Sequence, residues 1–486
     1  MRRLQHPHDR SLRTEARAGA PAPRRGLPRT ARWIVGALLL SLALIPVFQA
    51  NVLEPGDEYF FSNWDKESQA LVLGHIEQEV REDAQASRWG LQNATPDVLS
   101  PYDTFDGLQY GQHPEATGYR AYSSSLGLQG RLFAGLYAGG CSTLNCLTTV
   151  ESSLFSIAFV FFAAGLAVVT RRSLGVVVLV SGLLSPWVVS SAHNLYWVPW
   201  TWLLPAIAAC GSVAFRDRRW RIACLVAVGL GTALKATTGY EFITTTILLA
   251  ASIPVLSQVL GRRRAWRTVI RHALLITAAA LAGFGCILVA HALVAGDGSL
   301  TTGIGQITHD ALKRTYGSPA LGADAVTVES LKVSPLRVLV IYLVDWRTTV
   351  FSLGVGQPTP PLALGPGSFW VLVVAAGATI VVDLIRDRSR WRTNAVVFLV
   401  TALPPVSWFV LGKSHSFTAT SVNFVLWYLI FLPSVLWILG SVLADVALVR
   451  NLRQVLSSDR ALTRRTTEAA APRRRQGGSD ADADRT

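Results

Sequence analysis

Four carboxylates follow directly on the first long apolar run of the sequence, within residues 51–65 (NVLEPGDEYFFSNWD). These acids are Glu54, Asp57, Glu58 and Asp65, and four aromatic residues, Tyr59, Phe60, Phe61 and Trp64, lie among them. Carboxylates are too costly to bury in lipid, so we expect them just outside the bilayer, whereas aromatic side chains suit the headgroup layer. The adjacent pair Asp57 and Glu58 is our candidate for acid–base chemistry on a lipid-linked substrate.

Two lysines occur in short polar turns between apolar runs. Lys235 precedes Tyr240 and Glu241, and Lys413 precedes His415. A lysine beside hydroxyl groups and an imidazole suits a phosphate or pyrophosphate group, because it joins a point charge to several hydrogen-bond donors. We therefore predict that these five residues bind substrate. The alternatives are a snorkelling lysine at position 235 and an ordinary polar turn at position 413.

A third short turn carries His193 and Asn194, which we also place among the substrate-binding candidates. The tryptophans around this turn are typical of interface anchors, and a lone histidine is more often structural than catalytic. Together with Asp57, Glu58 and His415, His193 could supply metal ligands, but no ligand spacing supports such a site. We therefore predict no cofactor, and a divalent metal stays open as an alternative.

Two of the five cysteines, Cys141 and Cys146, fall in a polar segment. In an oxidising compartment they could form a small disulfide loop, and two free thiols are the alternative.

The composition indicates a polytopic membrane protein that is built of helices. Half of the 486 residues are hydrophobic, and only 16% are charged. The net charge of +14 does not indicate a nucleic-acid partner, because the arginines occur in short clusters between apolar runs and in the two tails. Residues 1–32 and 448–486 are expected to be disordered cytoplasmic tails, and the first apolar run is expected to remain as an uncleaved anchor.

The arginine clusters determine the expected topology, because positive loops stay in the cytosol. About ten spans result, with both termini inside and residues 33–447 as the membrane domain. Residues 335–353 are interpreted as re-entrant or interfacial, and eleven spans result if they cross. The ten runs lie at about 33–50, 152–170, 173–191, 196–215, 222–239, 240–260, 272–295, 368–385, 394–412 and 422–447.

In this topology, the chemically specific residues lie in the outer loops. The first outer loop, residues 51–150, is predicted to carry two helices lying flat on the membrane, and residues 296–367 form a second outer loop. All five lysines also fall on this side, although positive-inside sorting gives no reason for that.

The pattern resembles the GT-C superfamily of polytopic membrane glycosyltransferases. Asp57 and Glu58 in GDEYF match the acidic motif of that superfamily in type and place, and residues 51–150 match its large first outer loop. The resemblance implies an inverting enzyme that takes a sugar from a polyprenyl-phosphate donor and passes it to a glycan or lipid acceptor of the cell envelope. It also implies that Asp57, or else Glu58, is the general base.

The remaining expectations do not come from the resemblance. The roles of Lys235, Lys413 and His415 are inferred from their positions alone. The composition is compatible with a bacterial plasma membrane, and membrane lipid is an expected partner. The alternative function is a transporter or flippase for a lipid-linked or anionic solute, and a non-catalytic assembly factor is a third possibility.

Overall fold

The computed structural model describes residues 29–80, 87–95, 118–261, 264–317, 325–345, 349–354, 362–365 and 367–443. The C-terminal tail and residues 1–28 of the N-terminal tail lie outside the described residues, whereas residues 29–32 belong to the first helix. Within the predicted first outer loop, residues 51–150, the ranges 81–86 and 96–117 also lie outside them.

The described residues form an all-α protein with two small antiparallel strand pairs. The longer helices are Arg29–Ala50, Lys66–Val80, Leu128–Ala138, Leu144–Val169, Arg172–Leu183, Trp200–Ala214, Arg218–Thr238, Ile243–Leu260, Trp266–Ala295, Leu300–Arg314, Ser368–Arg386, Arg388–Leu411 and Phe431–Leu443. The shorter ones are Glu58–Asn63, Pro186–Ser191, Ala325–Lys332, Pro335–Val340, Lys413–Thr418, Thr420–Asn423 and Leu426–Leu429, and a π-helical turn covers Ile341–Asp345. Gln92–Thr95 pairs with Gly118–Ala121, and Phe351–Leu353 pairs with Leu362–Leu364.

Seven helices are long and apolar enough to cross a membrane, or eight if the bent pair Thr420–Leu429 and Phe431–Val442 is one span. The expectation of ten spans is therefore wrong for the described residues. The apolar run 173–191 contains a helix of only 12 residues, which rises about 18 Å. The run 196–215 contains one of 15 residues, about 22 Å long. Both fall short of the roughly 30 Å of a hydrocarbon core.

A serine and a proline explain the first of these breaks. Ser185 accepts a hydrogen bond from the backbone N–H of Val188 and so caps a new helix, and Pro186 occupies the first position of that helix. Proline suits a first turn because its missing N–H would have no partner there, but it cannot continue the preceding helix. The apolar run is thus divided although its composition is uniform.

The arginine clusters meet at one end of the helix bundle. The Arg264 guanidinium donates to the carbonyl of Val213, and Arg390 donates to the hydroxyl of Ser441. Gly261 lies against the carbonyl of Val169, where a Cβ atom would come within 2.5 Å of that oxygen. We call this the arginine end.

The opposite end carries the segments singled out from the sequence. Helix Arg218–Thr238 runs between the two ends, a rise of about 30 Å. At its last residue, the carbonyl of Thr238 accepts a hydrogen bond of 2.8 Å from the side chain of Gln129, which also donates to the carbonyl of Tyr196. The Trp64 indole donates to the carbonyl of Ser421 at 3.1 Å. We call this the polar end, and these bonds join residues 51–65, 125–129, 193–197, 235–242 and 413–423 there.

A buried aromatic cluster lies under the polar end. Trp197 stacks on Phe242 with 4.8 Å between the ring centroids, and both rings meet Trp202 edge to face. Trp197 and Trp202 are almost fully buried, so they belong to the core and are not interface anchors. Aromatic pairs of this geometry add to the stability that their burial already supplies. The cluster gives the loops above it a rigid base.

Candidate functional site

The acidic pair lies on the surface at the start of a short helix. Asp57 precedes helix Glu58–Asn63, and its carboxylate accepts a hydrogen bond of 2.7 Å from the backbone N–H of Phe60. This is an N-cap, in which an aspartate oxygen satisfies one of the unpaired donors of the first turn. Glu58 accepts a hydrogen bond from the Ser62 hydroxyl at 2.6 Å. Both acids are exposed, so their carboxylates face the solvent or a ligand.

The far end of the same stretch is held inside the protein. Asn194 is buried, and its amide donates to the carbonyl of Trp64 at 3.0 Å. Its oxygen accepts from the backbone N–H groups of Tyr196 and Trp197 at 3.0 and 3.2 Å. The Trp197 indole donates to the Asp65 carboxylate, and burial raises the pKa of Asp65 above its ordinary value. Asn194 therefore binds the acidic stretch to the neighbouring turn, which is a structural role.

His193 packs on the acidic stretch as an aromatic ring. Its imidazole lies 4.2 Å from the ring of Phe61, centroid to centroid. Burial lowers the pKa of His193 to about 4, because the charged form loses its hydration. The ring is consequently neutral at pH 7 and is not a source of protons there.

Lys235 is buried at the polar end together with Glu241. Its ammonium group donates to the carbonyl of Gly239 at 2.9 Å, and the charge of Glu241 acts on it favourably. Gly239 suits this point because its φ of +156° is a backbone conformation that residues with a Cβ atom rarely adopt. The lysine is thus neither exposed nor snorkelling, and it is placed beside an opposite charge.

Tyr240 belongs to a second polar network in the same turn. Its hydroxyl lies 2.7 Å from His291 Nδ1, and His291 Nε2 lies 3.0 Å from the carbonyl of Ser123. Since a carbonyl only accepts hydrogen bonds, Nε2 carries the proton and Nδ1 accepts from the tyrosine. Burial raises the pKa of Tyr240, so the phenol stays protonated. The network connects Ser123, in the segment between the first and second long apolar helices, to helix Trp266–Ala295.

Lys413 is directed away from these networks. Its ammonium group donates to the carbonyl of Leu331 at 2.6 Å and lies 3.5 Å from that of Ser330, at the last turn of helix Ala325–Lys332. It also lies 5.0 Å from the centre of the Tyr316 ring. A cation is favourable at the C-terminus of a helix, where carbonyl groups are unpaired. Burial lowers the pKa of Lys413.

His415 connects the Lys413 segment with the aromatic cluster. Its Nδ1 atom lies 3.2 Å from the side-chain nitrogen of Asn423. The imidazole meets Trp408 and Trp197 edge to face at 5.9 and 6.4 Å. Trp197 therefore contacts Phe242, His415 and the Asp65 carboxylate, which lie in three different segments of the polar end. Sequence reasoning missed this role, because a tryptophan at the end of an apolar run has the same signature as an interface anchor.

The structure brings most of the predicted residues to one end of the bundle, but these residues differ in their exposure and in the residues they contact. Asp57 and Glu58 are exposed. Asn194 and His415 contact Trp197, and His193 packs on Phe61. Lys235, Tyr240 and Glu241 lie in the next turn, beside Phe242 of the same cluster. Both lysine ammonium groups bind backbone carbonyls of the protein itself.

Cys141 and Cys146 are joined by a disulfide in this structure, with 5.5 Å between their Cα atoms. It closes a small loop at the start of helix Leu144–Val169, with Cys146 in the first turn of that helix. Among the described residues, no three His, Cys, Asp or Glu side chains lie close enough to hold a metal ion.

Comparison with known proteins adds no relative. No protein-family model matches the chain, and neither the curated proteins nor the solved structures contain a significant match.

Proposed function

We propose that the protein is a membrane glycosyltransferase that moves a sugar from a polyprenyl-phosphate donor to a cell-envelope acceptor on the outer face of the plasma membrane. The observation that carries the proposal is the exposed pair Asp57 and Glu58 on a rigidly held segment at the polar end. This end lies opposite the arginine end, which positive-inside sorting assigns to the cytosol. A lipid-linked sugar in the outer leaflet would present its phosphate and its anomeric carbon at this depth.

The proposed chemistry is a single displacement with inversion. Asp57 removes the proton from an acceptor hydroxyl, and the resulting oxygen forms a bond to the anomeric carbon. The bond between that carbon and the phosphate oxygen breaks, and the lipid phosphate leaves as an anion. One oxygen of Asp57 is already engaged by the Phe60 N–H, which fixes the carboxylate and leaves its second oxygen for the proton. Glu58 is the alternative base.

The departing phosphate needs positive charge or hydrogen-bond donors. Lys413 can supply them if its ammonium group gives up a hydrogen bond to the carbonyl of residue 330 or 331 and donates to the phosphate. His415, which is half-buried beside it, would add a hydrogen-bonding group. Lys235 is deeper, and its partnership with Glu241 makes it a support of the turn in this proposal.

The N-cap geometry permits a sharp test of Asp57. Asparagine and serine cap helices about as well as aspartate, but neither is a base at neutral pH. Asp57→Asn and Asp57→Ser should therefore leave the melting temperature unchanged while sugar transfer falls roughly 10²- to 10⁴-fold, the usual contribution of a general base. Transfer is measured in proteoliposomes with a labelled polyprenyl-phosphate sugar. Glu54→Gln, in the same stretch, is the matched control and should retain activity.

The outcomes separate the alternatives. Full activity of Asp57→Asn with loss in Glu58→Gln would assign the base to Glu58. Full activity in both would remove the acidic pair from the reaction. Movement of a lipid-linked or anionic solute across the vesicle membrane, without any transfer of sugar, would instead support the transporter or flippase.

A further inference from the structure

A cavity of about 680 Å³ opens at the arginine end, far from the acidic pair. Its walls come from four helices, among them the first turns of Arg172–Leu183 and Arg388–Leu411 and the last turns of Phe431–Leu443. A second cavity of about 450 Å³ adjoins it and shares Val259, Ser389 and Thr393. No binding site is predicted here from the sequence, because membrane orientation already explains the arginines.

Arg390 is fixed in the wall of the larger cavity. Its guanidinium donates to the Ser441 hydroxyl at 2.9 Å, and its Nε atom lies 3.5 Å from the Asp383 carboxylate. Asp383 also accepts a hydrogen bond of 2.8 Å from Asn394. These partners on two other helices hold the guanidinium in a defined position, so it is pre-organised for a ligand.

Arg171 lies at the mouth of the same cavity. Its guanidinium lies over the ring of Trp437, 5.9 Å from the centroid, and the Trp437 indole is itself held by the Ser173 hydroxyl at 3.0 Å. A stacked guanidinium keeps its N–H donors in the plane of the group, where they can still be used. Within the described part of the chain, no residue accepts a hydrogen bond from Arg171.

The charge around the two cavities is positive. Arg388 and Arg392 line the smaller cavity beside Arg171 and Arg390 of the larger one. Among the described residues, two acids lie near these four cations: Asp383 is paired with Arg390, and Asp387 lines the larger cavity. The Asp387 carboxylate is occupied as a helix cap, because it accepts from the backbone N–H groups of Ser389 and Arg390. The side chains, and not the free end of a helix, therefore form this site.

We propose that this cavity binds the phosphate head group of an anionic membrane lipid. The cavity lies at the ends of membrane helices, at the depth of the lipid headgroups. Basic pockets between such helices on the cytoplasmic side bind anionic headgroups. The side chains of Val177, Val259 and Leu436 add an apolar wall for the start of the acyl chains. Arg171 and Arg390 bind the phosphate oxygens, and the hydroxyl of Ser389 offers a further donor.

The full-length protein in detergent tests this by native mass spectrometry with phosphatidylglycerol and phosphatidylcholine. The wild type should retain phosphatidylglycerol in preference to phosphatidylcholine. Arg171→Gln should weaken that retention about fivefold, the effect of one arginine near an anionic lipid. Arg218→Gln is the matched control, because it removes an exposed arginine from the same end that lines neither cavity, and it should retain the lipid.

A second variant distinguishes loss of lipid binding from loss of folding. Ser389→Asp places a negative charge in both cavities, yet an acid in the first turn of a helix is favourable to that helix. Its melting temperature should equal or exceed that of the wild type, while retention of phosphatidylglycerol is lost. Equal retention in Arg171→Gln and the wild type would overturn the proposal, as would an equal loss in Arg218→Gln. Displacement of the lipid by millimolar inorganic phosphate would show a site for free anions instead.

Discussion

Replacement of Asn194 by alanine should release the acidic stretch from the bundle. The side chain makes three good hydrogen bonds, to the carbonyl of Trp64 and from the N–H groups of Tyr196 and Trp197, at 3.0 to 3.2 Å. Asn194 is only 1% exposed, so water does not readily replace them. An unsatisfied buried polar group costs about 1–3 kcal/mol. The substitution leaves three such groups, and the surrounding structure relaxes in part, so we expect the free energy of unfolding to fall by about 3 kcal/mol.

Asn63 supplies the matched control. It is the same residue type in the same stretch, but it is exposed, and its amide binds the carbonyl of Tyr59 one turn earlier at 2.9 Å. Asn63→Ala should change the stability by less than about 0.5 kcal/mol. Unfolding of both variants is followed in mixed micelles with increasing SDS, and limited proteolysis reports on residues 51–65. Equal stability of Asn194→Ala and the wild type, or an equal loss in Asn63→Ala, would refute this reasoning.

Three further predictions concern Glu77, His193 and the disulfide. Glu77 is fully buried, and burial raises its pKa to about 8, so its stabilising protonated form is lost as the pH rises from about 4.5 to 8. Glu77→Gln should therefore be more stable than the wild type at pH 8, by at most about 4 kcal/mol, and equal to it at pH 4.5 in thermal scans. The His193 pKa is lowered to about 4, so its stabilising neutral form is complete above pH 6.5 and is lost as the pH falls to 4. His193→Phe keeps the contact with Phe61 and should flatten this part of the profile, and a profile parallel to the wild type would contradict it. Reduction of Cys141–Cys146 should cost about 2 kcal/mol for so short a loop, and maleimide should label these two thiols only after reduction.

The sequence predicted the helical membrane architecture but overestimated the number of spans. The spans were predicted from the lengths of the apolar runs, and the hydropathy of a run does not show where a helix ends within it. The break at Ser185 and Pro186 has a readable signal, since a capping serine before a proline is typical of a helix start. The break at Ile430, between helices Leu426–Leu429 and Phe431–Leu443, also has a signal, because Pro433 has no N–H for the carbonyl of Leu429 four residues earlier.

The sequence also predicted that the candidate site residues share one end, but it did not predict their partners. The Lys235 partner is four residues away and lies in the same turn, so a local reading could have found it. The Lys413 partners lie 82 and 83 residues earlier in the chain. Such contacts depend on the packing of distant helices, which neither periodicity nor composition encodes. For the same reason, the pairing of Arg390 with Ser441 could not be read from the arginine clusters.

Cysteine labelling in intact cells tests the separation of the two ends, on which the functional account depends. Tyr59→Cys, Thr418→Cys and Trp220→Cys each place one thiol at an exposed position, in a background that lacks the free cysteines Cys210, Cys224 and Cys286. A membrane-impermeant maleimide should label positions 59 and 418 from outside and should reach position 220 only after the membrane is opened. Labelling of position 220 in intact cells, or of 59 and 418 from different sides, would contradict the account.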